Sequence, residues 1–384
     1  MPGRIALFST LIAVNLIVYG SYGWLANYQP DTNSRDPYLE TSFREEGLFT
    51  RIDLESTLRN AAYTIPYFKR IEQEQQILAF GTSESVHHHN VAHQLNALLD
   101  DPPKFRMYAQ PGLSPIHLAL VFANCQQQQI RMPPILLSVN LVYFTESHDG
   151  VNDGWLSNVS RSDLFVELDH DRTRQHLTED AQAVFSSHFE GRRWLYPLTL
   201  QKYLSNLLFL KFHQTGTLPE PDVFREKVFT FDGEKHPYNL QQNVWEGYRA
   251  SDELQKSRWE VVEPQQCANL AGVRSIIDIA EKMQVPMLVV INRPNRKYYE
   301  SHGLDMNRYD ERYGEIRQQI RAMAGETIVL DLYDGPLLEP GYRDRMHPDE
   351  WGDFQIAEHM VATPELKAFR NKVREYYSMP PSSN

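Results

Sequence analysis

Three short stretches of this chain carry side chains that together could transfer or hydrolyse an acyl group through a serine. The first is Gly81-Thr82-Ser83-Glu84, placed between an apolar run ending at Phe80 and a helical pattern from about Ser85 to Leu99. A serine at the amino end of a helix lies near unsatisfied backbone N–H groups, which favour developing negative charge. The same position suits an ordinary N-cap, and Ser83 taken alone fits the cap better than a nucleophile. The second stretch is Asn140, an amide directly after the apolar run Ile135–Val139. The third is Asp344-Arg345-Met346-His347, a D-x-x-H spacing. One turn between the two lets the carboxylate hold one imidazole nitrogen while the other faces a substrate, which orients a base and stabilises its imidazolium.

Such residues act together only if the fold brings them to one place. Short apolar runs alternate with helical patterns, the signature of a parallel α/β sheet. The candidate strands are 77–80, 105–109, 135–139, 287–291 and 327–332. In the segment after the fourth, Tyr313, Ile316, Ile320 and Met323 recur at three and four residues, with Gly325 where a C-terminal cap belongs. The last helical pattern starts at His347, with Pro348 at its first position and Asp349 and Glu350 in the first turn. In a five-stranded order 2-1-3-4-5, ligands bind beyond the carboxyl ends of the strands where the order reverses, between the first and third. Ser83, Asn140 and the D-x-x-H stretch then share one sheet edge.

Residues 140–286 between the third and fourth strands are far more than a crossover needs. Residues 146–266 therefore read as a helical insertion, rich in aromatics such as Trp155, Trp194, Tyr203, Trp245 and Trp259, most of which would form its own core. At the amino end, Ile5 to Ala26 is mostly apolar and would span about 33 Å as a helix, close to a bilayer's hydrocarbon thickness. Arg4 flanks it on one side and Tyr19, Tyr22, Trp24 and Tyr28 gather on the other, so the amino terminus is expected in the cytoplasm and the rest outside. A cleaved signal peptide, with Ser21-Tyr22-Gly23 as its cleavage site, is the rival reading; the apolar run is longer than a typical signal core of about 7–15 residues. The division is then 1–30 membrane anchor, 31–75 linker and leading helical segment, and 76–384 α/β domain.

Composition narrows the class. A formal net charge of -12 leaves no basic stripe for nucleic acid. Two cysteines, Cys125 and Cys267, give no disulfide framework and no cysteine-based zinc site, though they could form one bridge. No cofactor or metal is called for. His87-His88-His89 are consecutive and would point in different directions on a helix, so they read as a polar face, with His87 a minor alternative base. Asp169-His170-Asp171 and Asn152-Asp153-Gly154 read as solvated turns.

The layout resembles the SGNH (GDSL-like) hydrolase superfamily, and within it the family of D-alanyl-lipoteichoic acid biosynthesis proteins, DltD. The residues that carry the resemblance are Gly81-Thr82-Ser83-Glu84, the stretch Asn292-Arg293-Pro294-Asn295 through Tyr298-Tyr299, and Asp344 and His347 followed by Trp351-Gly352. It implies a flavodoxin-like three-layer fold with a mostly parallel five-stranded sheet and an N-terminal transmembrane helix. It also implies Ser83 as nucleophile, His347 as base and Asp344 as its orienting partner. The oxyanion donors would be the Ser83 backbone N–H, Gly112 and the Asn140 side chain. The superfamily's G-x-N-D block is absent, and the related family's Ser-Pro-Gln is replaced by Ser138-Val139-Asn140, which keeps an amide on a shorter arm. The implied activity is D-alanyl transfer onto a cell-envelope polymer with a membrane-bound O-acyltransferase as partner. Acetyl transfer or hydrolysis on an exopolysaccharide, and a non-catalytic scaffold in an acylation complex, are the alternatives. Deleting Ile5 to Ala26 should lower cellular function while soluble esterase activity persists; loss of both would count against this division of the chain.

Overall fold

The computed structural model describes residues 67–81, 85, 90–109, 113–151, 173–190, 259–301, 303–335, 341–342 and 346–379, together with Thr10, Ala13, Gly20 and the pair Gly47–Leu48. Its strands are β1 (Gly47–Leu48), β2 (Ile77–Gly81), β3 (Phe105–Ala109), β4 (Ile135–Asn140), β5 (Met287–Asn292) and β6 (Ile328–Asp331). All pair in parallel, in the order β1-β3-β2-β4-β5-β6. Leaving out β1, this is the expected order 2-1-3-4-5. The addition is a two-residue strand beside β3, too short to leave a periodic signal.

A parallel sheet must be covered on both faces, and successive side chains along each strand supply the two faces. Leu78, Phe80, Leu137, Val139, Val289 and Ile291 point into one buried cluster, whereas Ile77, Ala79, Leu136, Leu288 and Val290 point into the other. The helices are α1 (Val91–Leu98), α2 (Pro115–Gln127), α3 (Glu179–Glu190), α4 (Ala268–Lys282), α5 (Arg296–Ser301), α6 (Met306–Met323), α7 (Glu350–Val361) and α8 (Pro364–Ser378). The first cluster takes side chains from α2, α4, α6 and the helical stretch 67–73, the second from α1, α7 and α8. The result is three layers. On α6 the periodic residues Tyr313, Ile316 and Ile320 are fully buried, and Gly325 follows the cap Ala324 with φ +55, a conformation that favours glycine.

The two ends of residues 146–260 lie side by side, and α3 within that stretch packs into the first cluster through Ala181 and Phe185. Thr145 and Val261 form an antiparallel bridge, the Glu146 N–H donates to the Glu260 carbonyl (2.9 Å), and the Val262 N–H donates to the Phe144 carbonyl (2.8 Å). Trp259 is buried with its ring edge-on to Tyr299 at 5.7 Å. This aromatic therefore belongs to the sheet domain's core and not to a core of the insertion. The other insertion aromatics named above lie outside the described residues. Cys125 on α2 and Cys267 before α4 are separate buried thiols, and burial pushes the Cys125 thiol up to about 12. Among the described residues no helix is long and apolar enough to cross a membrane; the candidate anchor, apart from Thr10, Ala13 and Gly20, lies outside them.

Two backbones approach closely where α4 crosses the start of α2. A Cβ on Gly272 would lie 2.4 Å from the Ile116 nitrogen and 2.5 Å from its Cα. Backbone cannot give way as a flexible side chain can, so Gly272→Ala is expected to cost about 2–3 kcal/mol or more. Urea unfolding of the variant checks this. A shift of only about 0.5 kcal/mol, ordinary for a surface change, would show that the two helices separate cheaply.

Candidate active site

Because every strand pair is parallel, the carboxyl ends of β2, β3, β4, β5 and β6 lie along one edge, and the register shows how closely. Gly81 is opposite Ala109, Asn140 opposite Asn292, and Ile291 opposite Asp331. The predicted residues follow these ends. Asn140 and His347 are described, whereas Ser83, Gly112 and Asp344 lie outside the described residues.

The two residues that bracket the Ser83 loop are placed. A Cβ on Gly81 would lie 2.3 Å from the Ser85 hydroxyl oxygen. Only a glycine at the end of β2 therefore allows the chain to fold back and seat Ser85, which is buried, on top of it. The helix that follows differs from expectation. It begins at Val91, not at Ser85, because Asn90 has an extended backbone (ψ 171) and its Oδ1 accepts from the Ala92 and His93 N–H groups at 3.1 and 3.2 Å. Asparagine is among the strongest N-caps, and it ends the upstream pattern. The first turn of α1 therefore does not begin beside Ser83 in sequence, as the helix expected from Ser85 would have done.

Asn140 is placed firmly. It is the last residue of β4 and 1% exposed. Its Oδ1 accepts from the Val142 N–H (3.1 Å), which caps the 3-10 turn Leu141–Phe144. Its Nδ2 donates to the Met346 carbonyl at 3.1 Å, a contact between residues 206 apart in sequence. The amide thus joins the end of β4 to the residue immediately before His347. Around that bond Val142, Tyr143 and Met346 form a small buried cluster.

His347 is half-buried on a loop whose two ends are pinned. Tyr342 and Pro348 form an antiparallel bridge, and the Asp349 N–H donates to the Gly341 carbonyl at 2.9 Å. The expected helix start at His347 and Pro348 is corrected here. Pro348 belongs to the bridge, Asp349 is the N-cap with its carboxylate accepting from the Gly352 N–H (2.9 Å), and α7 starts at Glu350. Gly352 has a specific reason to be glycine: a Cβ there would stand 2.1 Å from the Gly341 carbonyl oxygen. The Tyr342 hydroxyl donates to the Arg293 carbonyl (3.0 Å), which fixes the same loop to the end of β5.

Sequence reasoning missed the groups that tie these loops together. Asn269, fully buried on α4, accepts from the Ile116 N–H (3.2 Å) and donates to the Tyr143 carbonyl (2.8 Å) and the His148 carbonyl (3.0 Å). Asp149 caps the start of α4, accepting from the Ala268 and Asn269 N–H groups (2.9 and 2.8 Å) and from the Cys267 thiol (3.3 Å). Burial raises its carboxyl above the ordinary range, and the backbone bonds oppose that shift. Ser114 and His117 make a buried pair, Oγ to Nδ1 at 2.7 Å, beside the Gly112 loop. No spacing in the sequence announces the contacts of Asn269 and Asp149, because their partners belong to other elements or to irregular turns.

A cavity of about 300 Å³ opens elsewhere, between the neck of the insertion and the start of α6, lined by Glu146, Glu260, Val262, Leu304, Tyr309 and Arg312 among others. Its arginines are held by ion pairs to the neck, Arg308 to Glu260 (2.5 Å) and Arg312 to Glu263 (2.6 Å). It includes neither Asn140 nor His347. No family model matches the chain, and no curated protein matches it in sequence.

The Asn140–Met346 bond yields a stability test. Asn140→Ala removes the bonds to the Val142 N–H and the Met346 carbonyl and is expected to cost about 1–3 kcal/mol. Asn140→Asp keeps the cap but sets a carboxylate oxygen against the Met346 carbonyl, so it should cost at least as much. Thermal unfolding of the two variants checks the order. An Asp variant as stable as the unsubstituted chain would mean that the amide does not hold the His347 loop.

Proposed function

We propose that the chain is a serine acyltransferase or esterase of the SGNH type, anchored in the cytoplasmic membrane with its α/β domain outside. Ser83 attacks an ester or thioester carbonyl, His347 takes its proton and later returns it, and Asp344 holds the imidazole. The acyl group then passes from Ser83 to a hydroxyl of a cell-envelope polymer, or to water. Oxyanion stabilisation falls to the Ser83 and Gly112 backbone and to the second N–H of Asn140, the first being used on Met346. The resemblance names D-alanine as the acyl group, a teichoic-type polymer as acceptor and a membrane-bound O-acyltransferase as partner. Fold alone does not choose among acyl groups.

The observation that carries this reading is the hydrogen bond from Asn140 to the carbonyl before His347, at the parallel edge from which the Ser83 loop also departs. Labelling provides the test. A fluorophosphonate should form an adduct on Ser83 that is absent in His347→Ala, and Ser83→Ala or His347→Ala should lower esterase turnover by about 10³–10⁶. No adduct on the folded, membrane-inserted protein would defeat the catalytic reading and leave a scaffold.

A further inference from the structure

The cavity between the neck of the insertion and the start of α6 has the features of a binding site apart from the sheet edge. Its volume, about 300 Å³, lies at the small end of ligand pockets, which run from roughly 300 to 1,000 Å³. Val261, Val262, Leu304 and the ring of Tyr309 supply its apolar surface. Four carboxylates line it against two guanidinium groups: Glu146, Glu260, Glu263 and Asp305 against Arg308 and Arg312. Both arginines are committed, Arg308 to Glu260 at 2.5 Å and Arg312 to Glu263 at 2.6 Å. The Asp305 carboxylate caps α6, accepting from the Asn307 N–H at 3.0 Å. Among the described residues the Glu146 side chain makes no hydrogen bond or ion pair, and its backbone N–H donates to the Glu260 carbonyl.

Tyr309 adds a second recognition element. It is 7% exposed, and its ring lies against those of Tyr299 and Tyr313, with centroids 5.6 and 6.0 Å away. Among the described residues its hydroxyl has no hydrogen-bond partner, although a buried phenol ordinarily finds one. Glu260 and Arg308 both act on that hydroxyl electrostatically, which sets its oxygen at the wall of the cavity where those two side chains stand. Burial, with Glu260 adding to it, pushes the phenol up to about 12, so it keeps its proton at neutral pH. Its oxygen still has lone pairs to accept from a donor.

These features select a cation. Excess negative charge on the walls of a cleft repels anions and concentrates cations there. Among the described residues no three acidic, His or Cys side chains converge as metal ligands would. The acceptors therefore suit a cation that brings its own N–H donors and an apolar body. We infer that the cavity binds a small organic ammonium ion, whose N–H groups donate to the Glu146 carboxylate and the Tyr309 hydroxyl oxygen while its carbon chain packs on Val262 and Leu304. Because the site contains neither Asn140 nor His347, the inference stands apart from the serine acyl-transfer reading.

The test uses the full chain in non-ionic detergent, with n-butylammonium as probe and n-butanol and butyrate as its neutral and anionic counterparts. Titration followed by saturation-transfer NMR reads the dissociation constants. Butylammonium should bind saturably at about millimolar concentration, and about tenfold more tightly than either counterpart. Tyr309→Phe keeps the ring and removes the hydroxyl, whereas Glu146→Gln keeps the shape and removes the charge. Each should weaken butylammonium binding about fivefold. Glu146 is exposed, so its variant keeps the test open if Tyr309→Phe does not fold. Equal affinity for butanol and butylammonium, the absence of saturable binding, or an unchanged butylammonium affinity in folded Glu146→Gln overturns the inference.

Discussion

The buried side chain of Asn269 is the point from which the rest of the candidate site hangs. An open parallel sheet aligns the ends of its strands but leaves the loops beyond them to find their own partners. Asn269 supplies partners to three of these segments at once: the first turn of α2, the turn after β4 and the loop at His148. Asp149 answers from the loop side by capping the start of α4. Asn269 itself is fully buried, so an unmade bond there would cost its desolvation penalty. Gly272, less than one turn further along α4, lets the backbone of α2 come close enough for the Ile116 bond to form. Packing and hydrogen bonding at this crossing are therefore one constraint.

With those loops held, Asn140 can do two things with one amide. It caps the turn that leads to Tyr143, and it fixes the carbonyl preceding His347. The loop carrying His347 is closed independently by the Tyr342–Pro348 bridge and by the approach of Gly341 to Gly352. The charged network at the end of β6, where Arg317 and Arg321 both reach the buried Asp331 (2.7 and 2.6 Å), anchors the strand from which that loop leaves.

Much of the fold was legible because it rests on local pattern. Runs such as Ile135–Leu137 and Val289–Ile291 are apolar without alternation, which means burial on both faces and hence a parallel sheet. The helix boundaries were less legible, for a local reason also. Asn90 and Asp349 both outcompete earlier starts by capping, yet each stands inside a stretch whose spacing continues through it. Trp259 was misassigned to the insertion's own core because sequence position does not say which side of a neck an aromatic will face. The edge strand β1 left no signal, since two residues have no period.

What the sequence by itself determined is the run of buried strands, the helix faces that cover them, and the arrival of Asn140 at one strand end and of His347 beyond another. These follow from residue spacing, which is read over a few residues at a time. What only the tertiary structure decided is who holds whom: Asn140 with Met346, and Asn269 with Ile116 and Tyr143. These bonds join residues 206, 153 and 126 positions apart. Local propensity carries no information over such distances, because the partners meet only after the layers have packed and excluded water. The chain's spacing chose the edge, and packing chose the contacts along it.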